Sequence, residues 1–321
     1  MALRLIEIVL PEKDGEEIQN LIKDQNPIEH KQIKLPEEKV LVRILLDAQQ
    51  NEAVLDLLEK RFSNQHDSRM VVLPVEATLP RPELNIEMSE KISREELYED
   101  IKDAARCSRV YLIMIFLSTI VASVGLHQNN VAVIIGAMVM APLLGPNVAM
   151  ALGTTLGEAS LIRQAFFTNL CGIFLVIAAS AGFGTFINID PTMTEIAARL
   201  QAQFGDIAIA LAAGCAGSIA FTTGVSVMLI GVMVAVALLP PLVTFGLLLG
   251  GGDLLLARGA LMLFLMNLIC LNLAAVLTFW VQRIHPLVWW EKDRAKKATM
   301  VSIGILALML AALLSLVFFF F

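Results

Sequence analysis

The chain has 321 residues, 57% of them apolar and 17% charged, with a formal net charge of −6 and a mean hydropathy of +0.72. Soluble domains carry about 45–50% apolar and about 25% charged residues, so an ordinary water-soluble enzyme is excluded for most of the chain, as is disorder, which needs low hydrophobicity. The charge is uneven: residues 1–109 hold 16 Lys and Arg against 23 Asp and Glu, whereas residues 110–321 hold 8 against 7; no basic excess points to nucleic acid.

The charged N-terminal third reads as an α+β domain. Residues 3–10 alternate as a strand, and 15–24 suit a short helix. Residues 28–35 and 39–46 read as strands around Pro36-Glu37-Glu38. Residues 48–63 read as a helix with Ala53, Leu57 and Leu58 on one face, and 69–76 as a last strand. The order βαββαβ suits a ferredoxin-like sandwich over residues 1–88. Such a domain binds a small regulatory ligand or serves assembly; no glycine-rich phosphate loop or metal cluster decides between them. Prolines at 74, 80 and 82 mark a linker. Ser93 and Glu96 form a capping-box pattern that opens an amphipathic helix within 89–109, expected to lead directly into the membrane.

Beyond Arg109 the charges thin out. There are 48 residues without a charge before Glu158, 26 between Arg163 and Asp190, 46 between Asp206 and Asp253, 24 between Arg258 and Arg283, and 24 from Ala298 onward. About 20 apolar residues cross roughly 30 Å of hydrocarbon, so seven crossings are expected: 110–126, 131–156, 164–187, 207–222, 225–250, 259–282 and 299–321. Basic residues flank the first crossing (Arg94, Lys102, Arg106, Arg109) and the loop at 284–298 (Lys292, Arg294, Lys296, Lys297, with Arg283 beside it). That bias puts both on the cytoplasmic side, with the N-terminus. No cleaved signal pattern precedes the first strand.

Sliding the sequence by 95 residues lays 134–152 over 229–247 without a gap. Gly136 meets Gly231, Pro146 meets Pro241, Gly157 meets Gly252 and Arg163 meets Arg258. This reads as a duplication of 110–187 in 205–283. Three crossings per copy is an odd number, so the second copy enters the membrane flipped, a 3+3 inverted repeat of the kind secondary transporters use.

Each copy is expected to break its second helix. Pro142 removes the partner of the Met138 carbonyl; Pro240 and Pro241 remove those of Val236 and Ala237. Unpaired carbonyls in hydrocarbon must be met by protein, water or an ion. The candidate substrate site is therefore Met138, Pro142, Gly145, Pro146, Asn147, Val236, Ala237, Pro240 and Pro241, with Glu158 and Asp253 as possible ion-coupling groups. Asn169, Asn267 and Asn272 read as interhelical hydrogen-bonding residues. Cysteines 107, 171, 215 and 270 show no ligand spacing. No catalytic constellation, metal site or cofactor is expected, so the chain is not read as an enzyme.

The string NNVAVIIGAMVMAPLLGPNVAMALGTTLGE at 129–158 resembles the signature of the domain of unknown function 389 family of prokaryotic multi-pass membrane proteins. The resemblance implies a membrane protein and supplies neither substrate nor site residues. The reading is a transporter or channel-like permease for a small solute or ion in the plasma (inner) membrane of a prokaryote, forming a homo-oligomer in the lipid bilayer. The alternative is a non-transporting sensor or scaffold whose cytoplasmic domain binds a ligand or partner.

Overall fold

The computed structural model describes residues 3–22, 25, 27–36, 38–62, 69–75, 78, 94–187, 189–223, 227–282, 284 and 289–320. The chain divides into two compact units, residues 1–97 with 222–224, and residues 98–221 with 225–321.

The first unit contains β1 (Leu3–Pro11), α1 (Glu12–Ile22), β2 (Glu29–Leu35), β3 (Lys39–Asp47), α2 (Ala48–Phe62) and β4 (Arg69–Val75). The strands pair antiparallel in the order β2-β3-β1-β4, so the βαββαβ order folds as a small sheet backed by two helices. Alternation does this: Ile6, Ile8 and Leu10 of β1 and Val42, Ile44 and Leu46 of β3 point to one face, onto Ile18 and Ile22 of α1. Helix α2 closes that core with Val54, Leu58 and Phe62, while Ala53 is exposed and Leu57 only half-buried. The buried stripe steps every four residues and is rotated one position from the expected face, because it ends on the large Phe62 ring. Pro74 lies inside β4 rather than in a linker. β4 is an edge strand, where a missing N–H is tolerated. Prolines 80 and 82 and Ser93 lie outside the described residues.

Helix α3 (Arg94–Ala104) is followed by a non-helical stretch at 106–108, not by a continuous run into the next helix. Ser108 is extended and caps α4 (Arg109–His127), its hydroxyl accepting from the Tyr111 N–H. The second unit then carries α5 (Val131–Met140), α6 (Leu144–Leu156), α7 (Ala159–Phe186), the short α8 (Thr194–Ala197), α9 (Phe204–Thr223), α10 (Val227–Gly251), α11 (Leu254–Val281) and α12 (Trp289–Phe320). Five helices among the described residues are long and apolar enough to cross a membrane; the α5–α6 pair, bent by 51°, makes a sixth if counted as one span. This is an integral membrane protein by helix length and composition. The expected seventh span falls in α12, which is helical from Trp289 to Phe320; among the residues described with side chains its apolar stretch is Thr299–Ala312.

Glycines set the closest helix contacts. A Cβ on Gly246 or Gly250 of α10 would collide with Ser180 or Ala181 of α7, and one on Gly184 with the Leu247 carbonyl. This small-residue seam lets two apolar helices touch backbone to backbone, the usual basis of packing in lipid.

Candidate functional site

The α4–α5 turn positions the interrupted span. Asn129 adopts a left-handed φ of 52° and its side-chain oxygen accepts from the Glu195 N–H at 2.9 Å. Asn130 caps α5 by accepting from Ala132 and Val133. The helix then stops at Met140. Pro142 has no N–H to offer the Met138 carbonyl, which instead takes the Ala141 N–H at 3.3 Å. The Ala137 carbonyl, which that N–H would otherwise reach, accepts the Ser118 hydroxyl of α4 at 2.7 Å. The break is thus local, and protein donors meet the Ala137 and Met138 carbonyls.

Helix α6 begins at Leu144, so Gly145, Pro146 and Asn147 belong to its first turn and not to the break. Proline is tolerated there because first-turn N–H groups have no intrahelical partner. Gly145 has a different role: any Cβ would collide with the Ala104 carbonyl at the end of α3.

A cavity of about 270 Å³ lies at the break, lined by Val139, Met140, Ala141, Pro142, Leu144 and Gly145, with Ala104, Phe221 and Gly231. Among the described residues no lining side chain is polar or charged. Of the nine expected site residues, Pro142 and Gly145 line this cavity. Met138 is buried, as is Pro146.

Asn147 is 1% exposed and sits at the hub of an amide cluster from three helices. Its Nδ2 donates to the Leu143 carbonyl at 2.8 Å and to Asn169 Oδ1 of α7 at 3.4 Å. Its Oδ1 accepts from Asn169 at 3.3 Å and from Asn272 of α11 at 3.2 Å. Asn272 also donates to the Leu268 carbonyl at 2.8 Å, and its own Oδ1 is buried without a hydrogen-bond partner. The interhelical role read for the three asparagines of α7 and α11 therefore holds. What sequence reasoning missed is that Asn169 and Asn272 converge on Asn147; the signal was three amides inside charge-free runs.

The second break is absent. Helix α10 is continuous through Pro240 and Pro241. Asn267 of α11 donates to the Ala237 carbonyl at 2.8 Å, replacing the N–H that Pro241 lacks. Ala237, Pro240 and Pro241 are buried, whereas Val236 is 41% exposed. The expected pairing of two interrupted helices is therefore corrected to one interruption and one continuous helix in which a side chain meets the Ala237 carbonyl.

Glu158 and Asp253 are the N-cap residues of α7 and α11. Each follows a glycine with positive φ, Gly157 at 71° and Gly252 at 87°, the conformation that ends a helix most easily without a Cβ. The Glu158 carboxylate accepts the Tyr98 hydroxyl at 2.6 Å and the Ser160 hydroxyl at 2.7 Å. Burial, then the hydrogen bond to Glu158, push the Tyr98 phenol up to about 12. Asp253 is exposed. Among the described residues no three His, Cys, Asp or Glu side chains gather to hold a metal ion.

The chain is 38% identical over 264 residues to an uncharacterised protein of Methanocaldococcus jannaschii, covering 82% of each chain. The model of the Domain of unknown function (DUF389) matches residues 138–273. The chain belongs to this family. The family match takes in the end of α5, the break, all of α6 and α7, and the three clustered asparagines. No solved structure matches.

Proposed function

We propose that this DUF389 protein is a permease for a small neutral solute, acting in the inner membrane of a prokaryote. The observation that carries this reading is the interrupted span, whose broken end opens on a 270 Å³ cavity. Interrupted helices at membrane depth are tolerated only where protein or a cavity meets the backbone. The apolar wall favours a neutral solute over a bare ion, since burying an unpaired charge in such a site is very costly.

The helix bounds support a 3+3 inverted repeat. Shifted by 95 residues, α4 at 109 begins on α9 at 204, and α7 at 159–186 falls on α11 at 254–281. The left-handed glycines 157 and 252 and the acidic caps 158 and 253 fall into the same register. On this reading the first unit lies in the cytoplasm, by the bias of Lys and Arg near the ends of α4 and α12. Glu158 and Asp253 then cap hairpins on opposite sides of the membrane.

The test is flux. Purified protein in liposomes is shocked with glycerol, or with potassium chloride as the ionic comparison, and volume recovery is followed by light scattering. Recovery faster than in empty vesicles is expected with glycerol. Gly145→Val, which intrudes on the cavity wall, should slow it, and Pro146→Ala should leave it unchanged. Rates equal to empty vesicles for both probes, or no slowing in Gly145→Val, would sink the assignment.

A further inference from the structure

Two of the four cysteines are brought together by the packing of the second unit. Cys107 sits in the non-helical stretch 106–108 between α3 and α4, and Cys171 sits on α7. Three contacts hold these segments side by side. The Thr168 hydroxyl donates to the Ala105 carbonyl at 2.8 Å, and the Tyr111 hydroxyl donates to the Thr168 carbonyl at 3.3 Å. Gly172 packs so close to the Tyr111 hydroxyl that a Cβ there would lie 2.5 Å from it. Cys107 falls between Ala105 and Tyr111 in the chain, and Cys171 between Thr168 and Gly172. The same strip of contacts sets the two thiols within hydrogen-bonding reach of each other.

The pair is unequal in access. Cys107 is exposed and Cys171 is half-buried, so an oxidant from water reaches Cys107 first and Cys171 stands behind it. A disulfide needs a narrow range of geometry, and the backbone at Cys107 belongs to no helix, so it can adjust without breaking a helical hydrogen bond. Partial burial of its sulfur, and then the neighbouring thiol, push the Cys107 thiol up from the usual value. At neutral pH the pair therefore rests as thiols. What favours reaction between them is proximity, because a partner already in contact acts at a very high effective concentration.

We infer that Cys107 and Cys171 form an oxidation site that closes to a disulfide when a peroxide reaches Cys107. The Cys107 thiolate attacks one peroxide oxygen and the O–O bond breaks. Cys107 becomes a sulfenic acid, and the other oxygen leaves as water. The Cys171 sulfur then attacks the Cys107 sulfur, the S–O bond breaks, and a second water leaves. In all, the two thiols give up two electrons and two protons, and one hydrogen peroxide takes up both to become two waters. The new bond fastens the α3–α4 turn to α7. With the first unit in the cytoplasm, as proposed above, the pair lies on the reducing side, where such disulfides are transient and report oxidant.

The experiment counts thiols in the full-length protein in membrane vesicles. Vesicles are exposed to hydrogen peroxide and denatured, and the chain is labelled with a maleimide polymer that retards it on a gel once for each free thiol. The untreated chain takes four labels, one for each cysteine. After peroxide it should take two, still as a monomer, and dithiothreitol should restore four. Cys107→Ser and Cys171→Ser should each lose no more than one label, because the partner sulfur is gone. Loss of two labels in either single variant would place the oxidation at Cys215 and Cys270 instead. That result, retention of all four labels, loss of one alone, a covalent dimer, or no recovery with dithiothreitol overturns the assignment.

Discussion

At the scale of single residues, the acidic cap Glu158 is defined by what it accepts. It takes a proton donor from Tyr98 as well as its own neighbour Ser160. Phenols ordinarily titrate near 10; here burial first and the carboxylate second hold Tyr98 up at about 12. The raised value means the folded protein retains a proton that the unfolded chain releases. The stability from this contact is therefore complete below about pH 10 and is lost as pH rises toward 12. The chain has two tyrosines, so phenolate absorbance in a Tyr111→Phe background reports Tyr98 alone. A midpoint near 12 is expected, falling part-way toward 10 in Glu158→Gln because burial remains. A midpoint near 10 in the parent would mean the contact does not form.

At the scale of elements, prolines act through the donors they remove and through what replaces them. Ser118 and the Ala141 N–H meet the Ala137 and Met138 carbonyls at the α5 break, while Asn267 meets the Ala237 carbonyl, one of the two freed in α10. Asn267→Leu should destabilise the protein by about 1–3 kcal/mol, the penalty for a buried unmet acceptor. Pro241→Ala returns an N–H to the Ala237 carbonyl, so the same Asn267 change in that background should be smaller. A double-mutant cycle on denaturation in detergent measures the difference; equal losses in both backgrounds would exclude the repair. The α7–α10 seam makes a second demand. Gly246→Leu forces a side chain where Ser180 already sits, and it should cost more than about 2 kcal/mol in the same assay. A change within about 0.5 kcal/mol would mean the two helices do not approach so closely.

At the scale of the whole molecule, the chain is a small α+β unit and a helical membrane unit, and both were legible before any coordinates. Charge-free runs mark the spans because lipid admits few ionised groups, and period-two alternation marks the strands because one face must be buried. The proline at 142 was a readable break, since its missing N–H is a property of the residue itself. What the runs did not reveal is which prolines are compensated. That depends on Asn267 lying 26 residues beyond Pro241 in sequence yet beside it in the fold, and on Ser118 reaching Ala137 from the preceding helix. Convergence of Asn147, Asn169 and Asn272 likewise needed three helices brought together. Composition and periodicity by themselves determined the two-part design, the strand order along the chain and the site of the interruption, because those follow from local chemistry. Tertiary structure alone decided that one helix breaks and the other holds, because a buried carbonyl is satisfied by whichever donor the packing places against it.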